Sequence, residues 1–182
     1  DLTATEWLGF RGGVILSPLG RFNLTHDSPV NDLTDRPLVA NRIIPTTLSE
    51  SGFGVFGRFY PSENSVMSYE AYLVNGFDEG IIQTPEGAVR IRNGRGSAKT
   101  DNNNSRAIVG RVGLSPALGA DFGASVHSGR YTNRNSPSRN LTIFALDGLY
   151  SRGPVEVLGE LAFASIDPLA EETPDPIDGP TT

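Results

Sequence analysis

Residues 142–163 read TIFALDGLYSRGPVEVLGELAF, and the spacing in this stretch decides the fold. Thr142, Phe144, Leu146, Gly148 and Tyr150 share one parity, with Asp147 on the other. After a tight turn at 152–154, Val155, Val157, Gly159, Leu161 and Phe163 alternate against Glu156 and Glu160. Successive side chains of a strand point to opposite faces, so the stretch predicts a β-hairpin with one apolar and one charged face. In one of the registers open to this hairpin, within a residue or two, Asp147 lies opposite Glu160, with Cβ atoms roughly 5 Å apart.

The same pattern extends back through the chain. Leu8, Phe10, Gly12, Val14 and Leu16 alternate with Arg11, Gly13 and Ser17, leaving Ile15 as an apolar exception. Phe53, Val55, Gly57 and Phe59 oppose Gly54, Phe56 and Arg58; Met67, Tyr69, Ala71 and Leu73 oppose Ser68, Glu70 and Tyr72. Ile108, Gly110, Val112 and Leu114 face away from Arg111 and Ser115, as do Phe122, Ala124 and Val126 from Asp121, Ser125 and His127. The pattern predicts about seven strands, with every charge in them on the face opposite the apolar set.

Connection length separates a soluble sheet from a membrane one. Segments 18–50, 76–105, 131–139 and 167–182 are long and take strict turns with tight connections at 61–65, 116–120 and 152–154. Transmembrane barrels segregate long outer loops from short periplasmic turns in this way, and two structureless loops of roughly thirty residues are uncommon in compact soluble domains. With the first strand running outward, Trp7, Tyr60 and Tyr150 all fall at the short-turn end, where amphipathic rings favour a membrane interface. The predicted fold is all-β: an antiparallel, up-and-down transmembrane β-barrel segment forming a single unit, with strands and loops over 7–166. An odd strand count and the acidic, Pro-rich stretch 167–182 mark it as part of a larger barrel whose last outer loop is cut short.

Composition agrees. Among 182 residues there are 21 Gly, 13 Pro, no Cys and a 37% hydrophobic share. No run approaches the roughly 18 apolar residues of a membrane-spanning helix. A net charge of −6 without a basic stripe argues against nucleic-acid binding. The absence of thiols suits an oxidising compartment. Residues 1–5 carry neither a basic nor an apolar leader region, so an export signal is expected upstream.

With the strands placed, the segment resembles the bacterial porin group that includes the phosphate-selective O/P-type outer-membrane channels. The likeness lies in Ser17-Pro18-Leu19-Gly20-Arg21-Phe22, Thr34-Asp35-Arg36-Pro37, Ile44-Pro45-Thr46-Thr47 running to Gly52-Phe53-Gly54, and Tyr69-Glu70-Ala71-Tyr72-Leu73-Val74-Asn75-Gly76. Ser128-Gly129-Arg130-Tyr131 and Tyr150-Ser151-Arg152-Gly153-Pro154 are also similar to that group. The resemblance implies a larger barrel, a homotrimer in the bacterial outer membrane with lipid and lipopolysaccharide around it, and passive diffusion of small solutes, anions among them. Channels of that group rely on lysine-rich pore loops, whereas this chain has one lysine, Lys99, and otherwise uses arginine. Phosphate selectivity is therefore not carried over.

A pore works through the charges on its inner wall and through an outer loop folded inward. The wall candidates are Arg11, Arg58, Glu70, Arg111, His127, Asp147, Glu156 and Glu160. The first long loop, with Arg21, Asp27, Asp32, Asp35, Arg36 and Arg42, is the candidate constriction. Arg90, Arg92, Arg95, Lys99 and Arg106 are candidates for a positive outer mouth. Any one of these is also accounted for as a solvated or paired charge.

No cofactor, metal site or catalytic residue is expected. His26 and His127 lack chelating spacing, no Gly-x-Ser-x-Gly elbow is present, and Asp101-Asn102-Asn103-Asn104 reads as a turn rather than a calcium loop. The Asp147/Glu160 pair has a spacing compatible with glycoside hydrolysis but reads better as an acidic patch on a pore wall. Two alternatives to a channel are a structural barrel anchoring an envelope assembly and a soluble β-sandwich adhesin or carbohydrate-binding module.

Overall fold

The computed structural model describes residues 1–25, 35–82, 89–95, 106–133 and 135–167. The alternating segments form one antiparallel sheet of eight strands, each hydrogen-bonded to its sequence neighbours, in the order β1 to β8. These are β1 (Leu2–Thr5), β2 (Leu8–Leu16), β3 (Ser49–Ser62), β4 (Ser65–Val74), β5 (Ala107–Ala117), β6 (Ala120–Arg130), β7 (Asn140–Arg152) and β8 (Val155–Ile166). Seven coincide with the alternating segments of the sequence. The eighth, β1, makes the count even, so the odd number expected from the sequence is not observed and is no argument for a partial barrel: four residues are too few to display a period, and pairing of Leu2 with Phe10 and Thr3 with Gly9 is what holds them extended.

Connections alternate as their lengths predict. At one end, two-residue turns at Glu6 and Trp7, Glu63 and Asn64, Leu118 and Gly119, and Gly153 and Pro154 join paired strands. Segments 17–48, 75–106 and 131–139 leave from the other end. Strands β1 and β8 are the two edges of the sheet.

The sheet is strongly curled. From β2 to β8 is six strand spacings, about 29 Å if flat. Yet the backbone N–H of Phe22, only six residues beyond Leu16 and so at most about 21 Å along the chain, donates to the Glu160 carboxylate of β8. Glu50 of β3 likewise touches His127 of β6 across the inner side.

The two faces differ as the alternation requires. Phe10, Val14, Phe53, Leu73, Ile108, Val112, Phe122, Val126, Phe144, Leu146, Leu161 and Phe163 all point outward and are exposed. Trp7, Tyr60 and Tyr150 are exposed at the short-turn end. No second sheet covers this face among the described residues, so the two packed layers of a sandwich are not formed.

The inner face is covered by the loops near their own end. Leu19, Ile44 and Leu48 from the first loop and Phe77, Ile81 and Ile91 from the second pack on Ile15, Tyr72, Val74, Val109, Leu141, Ile143 and Ala145 of the wall. Ile15, the apolar exception in the sequence pattern, is thereby 3% exposed: its face is wet farther down the strand but dry under the loops. Two short helices, α1 (Arg21–Leu24) and α2 (Leu38–Arg42), belong to the first loop.

Candidate functional site

Below the loop core the inner face carries charge in two similar arrangements. Arg11 on β2 reaches across β3 to β4, donating to Glu70 at 3.1 Å and to the Tyr72 hydroxyl at 2.9 Å. Tyr72 in turn donates to Glu70 at 2.6 Å. The Arg11 guanidinium lies 4.7 Å from the centre of the Phe56 ring and is also paired with Asp1. Cation–π contact and two carboxylates hold this guanidinium in place.

Three strands on, Arg111 of β5 reaches across β6 to β7. It makes a bidentate pair with Asp147 at 2.6 and 2.7 Å, and the Asp147 side chain is fully buried. The crossing works because position 123 on the intervening strand is glycine: a Cβ there would run into the Arg111 guanidinium. Parallel N–H···O bonds of this kind are the strong form of ion pair, and burial makes the loss of either partner expensive.

The first loop docks onto this second arrangement. Arg21 on α1 donates to Asp121 at 2.6 Å and stands 3.9 Å from Asp147; Ser115 completes Asp121 at 3.0 Å. The N–H of Gly20 donates to Ser125 and that of Phe22 to Glu160, both at 2.9 Å. Gly20 has a φ of 71°, and a Cβ would strike the Glu160 carboxylate, so both backbone and space require glycine. Buried Asn23 clamps the base of the loop, donating to the Ser17 and Leu48 carbonyls and accepting from the Leu48 N–H. The passages Ser17–Phe22 and Ile44–Thr47, on which the resemblance rests, thus meet inside the curl.

A separate contact lies deeper in the loop core. His127 Nε2 and Glu50 Oε1 are 2.9 Å apart, with side chains 1% and 2% exposed. The Phe77 ring meets the imidazole edge-on at 5.0 Å. Outside the strands, burial raises the Tyr131 phenol above its ordinary range, and its hydroxyl donates to the Asp167 carbonyl.

Of the wall candidates, Arg11, Glu70, Arg111, Asp147 and Glu160 meet in these networks, and Asp147 and Glu160 are register partners as the hairpin predicts. Arg58 and Glu156 are exposed near the short turns. His127 lies in the dry core. Of the loop candidates only Arg21 reaches the wall; Asp35, Arg36 and Arg42 are exposed, and Asp27 and Asp32 lie outside the described residues. At the proposed mouth Arg90, Arg92 and Arg106 are exposed, Arg95 donates to the Thr46 carbonyl, and Lys99 lies outside the described residues, as does 101–104. Sequence reasoning missed Glu50, because the alternation becomes visible only from residue 51. It also passed over Asn23 and Ser125, whose partners are backbone groups of the first loop: Ser17 and Leu48 for Asn23, and Gly20 for Ser125. Among the described residues no cluster of His, Cys, Asp and Glu could hold a metal.

The chain is similar to an uncharacterized protein of Aquifex aeolicus, with 35% identity over 127 residues, which covers 69% of this chain and 27% of that protein. It therefore spans about a quarter of that relative's length. No protein-family profile matches the chain. No solved structure matches it.

Proposed function

We propose that this chain is part of the wall of a bacterial outer-membrane β-barrel channel of the porin kind, through which small solutes diffuse passively. The observation that carries the reading is the outward face: large apolar side chains from β2 to β8 stand exposed on a sheet one layer thick. Left in water, such a face is a liability that monomeric soluble proteins rarely tolerate; against acyl chains it is the required surface. Aromatic residues at the short-turn end and the segregation of loop lengths support the same reading. Among the described residues no strand pairs with the outer edge of β1 or of β8, which together with a much longer relative favours further strands completing a larger barrel. In that barrel the first loop, docked through Arg21, Gly20 and Phe22, narrows the lumen from one side.

The wall arginines bear on selectivity. Arg11, Arg21 and Arg111 each face at least one carboxylate, whereas Arg58 stands exposed on the wall near the short turns. The reading is thus a channel for small solutes, anions among them, to which phosphate selectivity is not carried over, with assembly as a homotrimer as the resemblance implies.

One observation favours a second reading, an anchoring barrel with no conducting lumen: part of the inner face is a packed apolar core of loop side chains rather than a water-lined surface. Planar bilayers separate the two. The full-length protein, folded in detergent and added to a bilayer, is expected to give discrete conductance steps in ordinary salt. Correctly folded protein that inserts but stays silent in every common salt would leave the anchoring reading and remove the channel.

A further inference from the structure

The outward face changes character toward the loop end of β6, β7 and β8. Val126, Phe144 and Phe163 lie side by side in register and are exposed. Two residues nearer the loops, about 7 Å along each strand, the next outward row is Ser128, Thr142 and Ser165. Ser128 and Thr142 share a hydroxyl hydrogen bond at 2.8 Å. One further step of the same alternation brings Arg130 opposite Asn140. Continuing the β5–β6 register one place past its last pair, Ala107 with Gly129, sets Arg106 opposite Arg130. Hydrocarbon, hydroxyl and guanidinium thus follow one another up a single face.

Among the described residues neither arginine is paired with a carboxylate. Arg106 is exposed and has no side-chain partner there. Arg130 donates to Thr132 Oγ1 at 3.1 Å and to the Asn133 and Ser136 carbonyls, neutral oxygens that fix the guanidinium without cancelling its charge. Asp167, next in the row beyond Asn140, accepts from the Asn140 N–H at 2.8 Å. Like charges directly across a strand pair repel, so this juxtaposition is stabilised by an anion that both arginines share.

We propose that Arg106 and Arg130 form a docking site for the phosphate of an anionic lipid headgroup in the leaflet at the loop end. The inference rests on the outward face being lipid-facing and is independent of whether the lumen conducts. A lipid laid on this face matches it in order, with its chains on Val126, Phe144 and Phe163, its ester zone at the hydroxyl row and its phosphate at the guanidiniums. A planar guanidinium presents parallel N–H donors to two phosphate oxygens, a geometry that a zwitterionic or uncharged headgroup exploits less well. Each arginine near a membrane surface strengthens the attraction of anionic lipid about fivefold.

The full-length protein and its variants are expected to insert alike into phosphatidylcholine vesicles and to float with them. In nonionic detergent, with intact lipid complexes weighed by native mass spectrometry, the parent should retain phosphatidic acid in preference to phosphatidylcholine of the same chains. Arg106→Gln and Arg130→Gln should each weaken that retention about fivefold and leave phosphatidylcholine unaffected. Arg58→Gln, which removes the same charge from the inner face, should keep the parent's preference, and glycerol phosphate, a headgroup without chains, should not compete at equal concentration. Protein that fails to enter the vesicles removes the membrane reading and this site with it. Protein that inserts but retains both lipids equally overturns the site alone, as does an equal loss in Arg58→Gln. Competition by glycerol phosphate assigns the arginines to a soluble anion and overturns the lipid. Arg106→Gln breaks no hydrogen bond of the third loop, so it decides the matter even where Arg130→Gln disturbs that loop: an Arg106→Gln protein with the parent's preference contradicts the proposal.

Discussion

Replacing Asp147 by alanine is expected to lower the unfolding free energy by about 3 kcal/mol, the lower end of the range for breaking a buried ion pair. The side chain removed is fully buried and takes both guanidinium nitrogens of Arg111, which is itself 11% exposed. Its loss strands that guanidinium beside Gly123 and leaves Arg21 with Asp121 alone. The low end of the range applies because Glu70 is directly across from Arg111 in register and offers a partial substitute. A double variant, Arg111→Met with Asp147→Leu, should recover most of the loss, since an apolar pair of similar volume needs no charge compensation. Urea unfolding followed by the fluorescence of Trp7, the sole tryptophan, measures both. A single variant as stable as the parent would mean that the wall pair contributes nothing to the fold.

The second large effect is expected on the opposite face. Leu146 lies near the middle of β7, points outward and is 42% exposed. In water, Leu146→Arg at so exposed a site would change stability by no more than about 0.5 kcal/mol. In a bilayer the same change near the midplane of a barrel costs about 2–4 kcal/mol, whereas near an interface it costs about 0–1 kcal/mol. Tyr150→Arg, four residues toward the short turn on the same face, is the matching control. Unfolding from lipid vesicles should therefore separate the two variants by about 2 kcal/mol, with Leu146→Arg the weaker. Equal effects would deny any dependence on depth.

Much of this architecture was legible in the residues because a single physical rule, opposite faces for successive side chains, acts along the whole sheet. Thr142 to Phe163 displayed both strands and the turn without help from tertiary structure, and left the register open by a residue or two until Asp147 was found opposite Glu160. The rule faltered where the inner face stops being wet. Ile15 broke the alternation, and Ile143 and Val109 fall on the inner face too, because the loops bury that face near their own end. Loop placement had no period to read: the backbone N–H groups of Gly20 and Phe22 donate to side chains more than a hundred residues away, and the Asn23 side chain is held by the backbone of Ser17 and Leu48. Arg21 and its neighbours Asp35, Arg36 and Arg42 looked alike in sequence, yet only Arg21 stands on the helical turn that meets Asp121. The pairing of Glu50 with His127 depends on curl, which no local pattern encodes.

A wall set in a membrane turns the even-numbered positions of β7 to lipid and the odd ones to the protein. The chain lacks cysteine, so single cysteines at positions 143 to 147 can carry nitroxide labels one at a time in the reconstituted protein. A two-residue rhythm is expected, with labels at 144 and 146 relaxed by dissolved oxygen but shielded from a polar nickel chelate, and labels at 143, 145 and 147 little affected by oxygen. Labels at 144 and 146 that respond to the chelate as freely as a water-exposed site would contradict it.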